Sequence, residues 1–420
     1  MTVPRRHVLA LAGLSALGGC VSTPRAAAES PLGWAGVGKT TGGAAAMPEH
    51  VFDVHDRAGL DAALRLGDKP KIIRLHTFID LCPGGAEAFR DPAFSFDAFD
   101  RAFDPATWGR DDPKGPLEDA RKRSEQRQAA VSIVRLPSNT TLLGAAPGAG
   151  FQHGMVLLDK VSNIVIRDLR FSDAYDHFPA WEPRDNGHGE WNSEYDGLSL
   201  RGAERVWVDH CEFDDGDHPD KAEPIRLGRR VQHHDGLLDI TGGSDLVTVS
   251  WCRFQAHDKT MLIGSSDSRA ALDTGRLRVT LHHSHFHACK ERTPRVRFGR
   301  VHVVSNLFSA DQAEDVGYTL GAGMQSRLYA EHNRWELPAG VAPGQLIRRL
   351  KGSAIVVRDS RLNGQPVDLL QAWQAAHPAE TLAADVGWRP DEVYDAAALR
   401  PASPDQLADQ IRAGAGPRRA

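Results

Sequence analysis

Val206-Trp-Val-Asp-His-Cys-Glu-Phe213 recurs in altered form along the chain. Its counterparts are Val165-Ile-Arg-Asp-Leu-Arg-Phe171, Val247-Thr-Val-Ser-Trp-Cys-Arg-Phe254, Val279-Thr-Leu-His-His-Ser-His-Phe286 and Val301-His-Val-Val-Ser-Asn-Leu-Phe308. Leu328-Tyr-Ala-Glu-His-Asn-Arg-Trp335 closes the series with tryptophan. Each reads as an apolar strand ending in an aromatic residue. The aromatic positions lie 42, 41, 32, 22 and 27 residues apart. A shortest unit with loops of varying size inserted into it is the pattern of a solenoid. Strands that recur in one direction pair in parallel, so the expected fold is all-β, a right-handed parallel β-helix. The recurrent strand ending argues against a two-sheet sandwich. The residues two before each aromatic are Leu169, Cys211, Cys252, Ser284, Asn306 and Asn333. Inside such a solenoid they would stack roughly 4.8 Å apart. Cys211 and Cys252 then read as stacked core thiols. A disulfide between them stays open, because neighbouring-strand spacing suits one.

The chain has 420 residues, 41% hydrophobic and 25% charged, which is ordinary for a globular protein with a large core. Fifty Lys and Arg stand against 55 Asp and Glu, a net charge of −5 that argues against nucleic acid as a partner. Forty glycines and 25 prolines suggest many turns. Arg5-Arg6 precede an apolar run, Val8 to Leu17, too short to span a bilayer. The run ends in Leu17-Gly18-Gly19-Cys20, which looks like a lipoprotein cleavage site, while the paired arginines look like a folded-protein export signal. Export is expected, to the exterior, the periplasm or the cell surface. Cys20 is either a lipid anchor or an incidental cysteine of a plain secretory signal. Cys82, Cys211, Cys252 and Cys289 are too few for a disulfide scaffold and contain no CxxC pair for zinc.

Residues 21–48 are rich in Ala, Gly, Ser, Thr and Pro and read as a flexible linker. Folded sequence is expected from near Val51, with a short helix over 60–66 and a strand over 71–76. Residues 82–128 read as a polar, irregular excursion with a helix over 116–128. Short strands follow at 132–136, 140–143, 155–158 and 164–167. Helical stretches over 367–376 and 404–411 are expected to cap the solenoid, whose open edge needs cover. Residues 413–420 read as frayed. The domain organisation expected is a leader over 1–20, a linker over 21–48, a β-helix domain over 49–400 and a tail over 401–420. No surface feature suggests an oligomer, so a monomer is expected.

Lys290-Glu-Arg-Thr-Pro-Arg-Val-Arg-Phe-Gly-Arg300 places Lys290, Arg292, Arg295, Arg297 and Arg300 in one short stretch of an acidic chain. Arg295 and Arg297 alternate with Val296 and Phe298, as on a strand with one wet face. Such a strip suits an anion. Asp196, Asp235 and Asp239 belong to consecutive units, and the last two share a strand face. If the units stack, the three carboxylates converge and repel unless a cation joins them; all-oxygen ligation suits Ca²⁺. Singly, each is an ordinary turn residue. Lys259, in His257-Asp-Lys-Thr-Met, is either a solvated loop cation or a clamp for a polyanion's carboxylate. The pairs His233-His234 and His282-His283 point to opposite faces of a strand and chelate poorly. They read as structural hydrogen bonders.

Together, Val206-Trp-Val-Asp-His-Cys-Glu-Phe213, Asp235-Gly-Leu-Leu-Asp-Ile240, Val247-Thr-Val-Ser-Trp251, His257-Asp-Lys259, Gly264-Ser-Ser-Asp-Ser268 and Arg292-Thr-Pro-Arg-Val-Arg-Phe-Gly299 resemble a bacterial pectate lyase of polysaccharide lyase family 1, over roughly residues 130–335. The resemblance implies the same β-helix. It implies a primary Ca²⁺ on Asp196, Asp235 and Asp239, with Glu194 as a possible extra ligand, and Arg292 as the catalytic base. Lys259 and Arg297 would bind the substrate carboxylate and neighbouring oxygens. The implied substrate is polygalacturonate, an α-1,4-linked polyanion cleaved by β-elimination. Arginine is a poor base in water, but nearby cations lower its proton affinity, so an alkaline optimum is expected. A pectin lyase acting on methyl-esterified polymer without Ca²⁺ would not need the three aspartates. A polygalacturonase would need acid and base carboxylates. A non-catalytic glycan-binding β-helix would have no use for Arg292.

Overall fold

A computed structural model describes residues 30–418. Three parallel sheets, of ten, ten and eight strands, run the length of the molecule, and each coil contributes one strand to each sheet in turn. One coil shows the pattern: Leu198–Arg201 lies in the third sheet, Glu204–Asp209 in the first and Glu212–Asp214 in the second. All pairings within the sheets are parallel, except that the last strand of the second sheet, Gln365–Val367, turns back on Ser360–Leu362. This is the right-handed parallel β-helix.

The repeated segment proves to be two strands rather than one. Between the first and second sheets the chain passes a left-handed residue, namely Asp168, His210, Trp251, His283, Ser305, His332 and Asp359 in successive coils, with φ from 51° to 57°. That conformation costs a non-glycine residue about 1–2 kcal/mol. The residue after it turns inward and is the predicted ladder position. Ser284 N donates to Asn306 Oδ1 (2.9 Å), Asn306 N to Asn333 Oδ1 (2.9 Å) and Asn306 Nδ2 to the Leu281 carbonyl (3.0 Å). The corner's backbone groups, which no sheet pairs, find their partners there. Cys211 and Cys252 occupy the same ladder as free thiols, as do Cys82 and Cys289 elsewhere, so the disulfide is not formed.

Two residues on, the aromatic rings stack through the core. Phe171–Phe213, Phe213–Phe254, Phe254–Phe286, Phe286–Phe308 and Phe308–Trp335 have centroids 4.9, 4.9, 4.8, 5.1 and 5.0 Å apart, with planes within 14° of parallel. Inward aliphatic residues of the other two sheets fill the rest of one continuous core.

The segment expected as a linker is folded where it is described. From residue 31 it is packed as a strap across the outer face of the first sheet. Trp34 N donates to Thr280 Oγ1 (3.1 Å), Ala35 N to Thr248 Oγ1 (3.0 Å), Gly42 N to Asn163 Oδ1 (2.9 Å) and Gly43 N to Thr141 Oγ1 (2.9 Å). Backbone amides make these contacts, so the small side chains that suggested flexibility are what let the strap lie close. The expected leader, Cys20 and residues up to 29 lie outside the described residues.

Other boundaries shift for similar reasons. Residues 82–132 hold four helices: Gly85–Phe89, Phe96–Ala102, Pro105–Trp108 and Pro116–Ser132. They pack Phe89, Phe94, Phe99 and Phe103 against Phe178, Trp181 and Trp191 in a second core. Arg57–Leu64 forms the first helix after the strap and buries Leu60 and Ala63 in the main core beside the first coils. At the other end Leu369–Ala376 buries Leu369 and Trp373 in it. Leu407–Gly414 does not cap the end; it lies on the outer side of the second sheet, with Leu407 and Ile411 against Leu307. The residues read as a frayed tail are therefore docked up to the last described, where Arg418 N donates to Asp168 Oδ1 (3.1 Å).

Replacing Asn306 by Ala should destabilise the protein by about 3 kcal/mol in urea unfolding, because a buried amide and a buried carbonyl lose their partners. A loss below about 1 kcal/mol would show that the ladder is not needed to hold the corner.

Candidate active site

The turns that enter the third sheet stack like the sheets themselves. Asp235 N donates to the Tyr195 carbonyl (2.9 Å), Leu237 N to the Thr260 carbonyl (3.1 Å) and Thr260 N to the Glu291 carbonyl (3.1 Å). Four consecutive coils therefore carry Asp196, Asp235, Lys259 and Arg292 past the same point. Asp239 follows on the strand Leu238–Thr241, with Ser199 as its register partner.

Asp196, Asp235 and Asp239 each bring a carboxylate oxygen within 4.8 Å of the others. Gly236 N fixes Asp196 Oδ1 (2.9 Å) and Leu262 N fixes Asp239 Oδ1 (2.8 Å). A Cβ on Gly236 would sit 2.5 Å from Asp239 Oδ1 and 3.0 Å from Asp196 Oδ1, so only glycine leaves this cradle open. Burial, then repulsion from Asp235, pushes the Asp196 carboxyl up to about 7. Burial, then Asp196 and Asp235, hold Asp239 well above the usual carboxylate range. Three converging carboxylates that disfavour their own charge fit a divalent cation held by oxygen. Glu194 is exposed and is not part of the cluster.

The expected cations surround it. Lys259 Nζ lies 3.1 Å from Asp235 Oδ1. Arg292 adopts φ 61° and places Nε 3.2 Å from Glu291 Oε1. Burial disfavours the charged Arg292 guanidinium, but Glu291, Asp235 and Asp239 outweigh burial and raise its proton affinity. Arg297 is nearly buried; its Nε donates to Asp267 Oδ1 (2.8 Å) and its Nη1 to the Gly264 carbonyl (2.9 Å). The basic stretch is not one strand. Arg295–Val296 belongs to the third sheet, Phe298 (φ 59°) makes a corner, and Arg300–Val304 belongs to the first sheet. Arg300 is thereby separated from the other cations.

Sequence reasoning missed the charged network behind the cluster. His257 Nε2 donates to the Asp235 carbonyl (2.8 Å), while Nδ1 meets Asp215 Oδ1 (2.8 Å). Burial alone would lower His257, but Asp215 lifts it to about 9. His234 likewise lies between Asp173 (2.9 Å) and Asp220 (3.2 Å), whose hydrogen bonds overcome burial and raise it to about 10. Its neighbour His233 is pushed down to about 3, chiefly by burial. Asp215, Asp220 and His257 also approach within 4.8 Å of one another. There an imidazolium already matches the carboxylates. The histidines do serve as structural hydrogen bonders, as expected. Their presence was visible in the sequence, but their acceptors lie 14 to 61 residues away.

The pectate lyase family profile matches residues 117–381. The chain belongs to the pectate lyase family. It is 37% identical to a pectate lyase of Bacillus subtilis over 362 residues, 84% of each chain. It is 35% identical to pectate lyase D of Dickeya chrysanthemi over 76% of this chain and 72% of that one. Among solved structures, a variant of the Bacillus subtilis pectate lyase superposes with a TM-score of 0.84, at 35% identity, over 92% of this chain and 96% of that one. A pectate lyase bound to a hexasaccharide superposes with a TM-score of 0.85, at 34% identity, over 93% and 97%. The chain is thus an enzyme, a polysaccharide lyase. The likeness extends beyond the motif-bearing part on both sides.

A carboxyl raised on folding adds stability only while protonated. Its contribution is full below the unfolded value of about 4 and is lost as pH climbs through the folded value, about 7 for Asp196. Histidines buried in neutral form, such as His233, contribute the opposite slope below about pH 6.5, so the test is a comparison. In chelator, the melting temperature of Asp239→Asn minus that of wild type should grow as pH rises from about 5 to about 8. A difference that stays flat over this window would contradict the clustered carboxylates.

Proposed function

We propose that the protein is an exported pectate lyase that cleaves α-1,4-galacturonan by Ca²⁺-dependent β-elimination, releasing 4,5-unsaturated oligogalacturonides. The observation that carries this reading is the convergence of Asp196, Asp235 and Asp239 beside Lys259 and Arg292 on consecutive coils. The three aspartates would hold Ca²⁺, with Gly236 keeping the cradle open. When bound, the ion supplies Lewis-acid stabilisation to the substrate's C6 carboxylate.

Arg292 is the base in this reading. Of the three carboxylates that keep it charged, two belong to the cluster. Once their charge is matched, burial, which is larger than the remaining pull of Glu291, favours the neutral guanidine. Arg292 then takes the C5 proton. The C5–H electrons form the C4–C5 double bond, and the C4–O bond breaks toward the leaving chain, which takes a proton from solvent. Lys259 and the anchored Arg297 place positive charge where the enolate-like charge develops. Because Asp267 and Gly264 already fix Arg297, little reorganisation is needed as that charge appears.

The leader supports export, with Cys20 as the point of lipid attachment. The intact mass of the mature protein from its membrane fraction should show Cys20 acylated at the N-terminus; an unmodified later start would remove the anchor.

Ultraviolet absorbance of unsaturated product should rise on polygalacturonate only with Ca²⁺, with an alkaline optimum. Arg292→Ala should lower kcat roughly 10²–10⁴-fold and leave Ca²⁺ affinity, measured by calorimetry, within a small factor of wild type. An acidic optimum with intact Ca²⁺ binding would remove Arg292 from the role of base. Activity on methyl-esterified pectin that persists in chelator would indicate a pectin lyase. No product on either polymer would favour a glycan-binding protein.

A further inference from the structure

The pairs His233-His234 and His282-His283 are adjacent in sequence and chelate poorly. His285 and His287 are different. They are two apart on the strand His285–His287 of the second sheet, so they share a face, while Phe286 between them enters the core. Both are half-buried, and both line a cavity of about 410 Å³ between the second sheet and Arg412 of the helix Leu407–Gly414.

The two rings aim at one atom. His285 Nε2 lies 2.8 Å and His287 Nδ1 3.0 Å from the hydroxyl of Ser309, the register partner of His287 on the next coil. A hydroxyl has one proton and can donate it to only one of them. The other nitrogen of His287, Nε2, faces Asp311 Oδ2 (3.8 Å). A carboxylate on the far side of an imidazole is how metal-binding histidines are oriented, because it holds the N–H there and leaves the near nitrogen a free lone pair. The ligand atoms of a four-coordinate zinc, each about 2.0–2.1 Å from the ion, lie about 3.3 Å apart. The two nitrogen–oxygen distances are already close to that spacing.

The charges around the cavity leave room for a cation. Arg253 donates to the Ala415 carbonyl (2.6 Å) and meets Glu212 (3.5 Å), and Arg412 is paired with Glu336. Among the described residues Asp311 meets no Lys or Arg, so its charge is left over beside the histidines. Burial, then His287 and the two arginines, hold His285 down to about 3, so its ring is neutral, as a ligand must be.

We propose that His285 and His287, with Ser309 Oγ and water completing the shell, form a second metal site that takes a divalent transition ion of the Zn²⁺ type and not Ca²⁺. Imidazole nitrogen suits Zn²⁺, Ni²⁺ and Cu²⁺, whereas Ca²⁺ takes oxygen ligands. The site lies on the second sheet, apart from the aspartate cluster on the third, and does not depend on the lyase reading. An ion there ties two successive coils together and stabilises the folded state by binding it alone.

Calorimetry with Zn²⁺ in excess Ca²⁺, which occupies sites made of carboxylates, tests this. His285→Ala and His287→Ala should each abolish the binding seen in wild type, and Asp311→Asn should weaken it roughly 10–100-fold. Zn²⁺ should raise the melting temperature of wild type and leave that of His287→Ala unchanged. The metal-free melting temperatures report whether the variants fold; if an alanine variant does not, His285→Gln and His287→Gln replace the pair. Electron paramagnetic resonance of protein loaded with Cu²⁺ should show coupling to two nitrogens in wild type and to fewer in His287→Ala. No Zn²⁺ binding by wild type, binding kept in either histidine variant, or unchanged nitrogen coupling overturns the proposal, the last two because the ion then sits elsewhere, as at His257 with Asp215 and Asp220. Absence of unsaturated product on polygalacturonate would defeat the lyase reading and leave this test as it stands.

Discussion

Parallel pairing binds every coil to the path of the one before it, and so the corner between the first and second sheets has to be solved repeatedly. From Asp168 onward, each coil spends a left-handed residue there, which is unfavourable for side chains such as Trp251 or His283. In the later coils the inward residue that follows repairs the corner by hydrogen-bonding the backbone of the adjacent coil, as Asn306 and Asn333 do. Neither half is useful alone. The left-handed turn aims the ladder residue inward, and the ladder bonds make the turn tolerable. Because the corner is fixed, the aromatic residue two positions on always enters the core at the same angle, which is why six rings stack nearly parallel. The third sheet inherits its alignment from that stack.

The site is what this alignment does to loops. A loop that leaves the second sheet can be long or short, yet it must return at the same height to enter the third sheet. Asp196 and Arg292 are 96 positions apart in the chain, but their turns are separated only by those of Asp235 and Lys259. Regularity also explains how like charges are kept together. Three carboxylates would spread apart on flexible loops. Here backbone amides of Gly236 and Leu262 hold two of them, and an imidazolium at His257 braces the third through its carbonyl. The cluster is held by backbone amides and a backbone carbonyl whose positions the stacked coils set.

The repeat was legible because its aromatic residues and inward ladder positions recur, and both follow from the period of the solenoid. The carboxylate cluster was legible for the same reason, since stacking converts sequence units into neighbours. Other features were not. The repeated segment looked like one strand, because a left-handed corner at His210 or Ser305 leaves no mark on hydropathy when the residue is not glycine. The strap over residues 31–43 looked like a linker, because its hydrogen bonds use backbone amides and its small side chains are what allow the close approach. Residues 82–128 looked irregular, because their phenylalanines serve a separate small core rather than the periodic one. The partners of His257 and His234 were hidden because hydrogen bonding to distant acceptors has no period.

The distribution of strain follows from these roles. Asp196, Asp239 and Arg295 are each disfavoured where they sit, the first two by burial and mutual repulsion, the third by burial and adjacent cations. All three lie on or beside the third sheet, whose strands are short, two to five residues, and whose inward side chains join the continuous core. The first and second sheets carry the stacked corners and rings. A solenoid can accept this division because each coil is stabilised mainly by its neighbours. Unfavourable charges on several coils are offset by the regular packing of their neighbours. The charges that weaken the free protein are of opposite sign two rungs apart, a carboxylate at Asp239 and a guanidinium at Arg295. A ligand that carried both a divalent cation and carboxylates, as the proposed function requires, would relieve strain at both places at once.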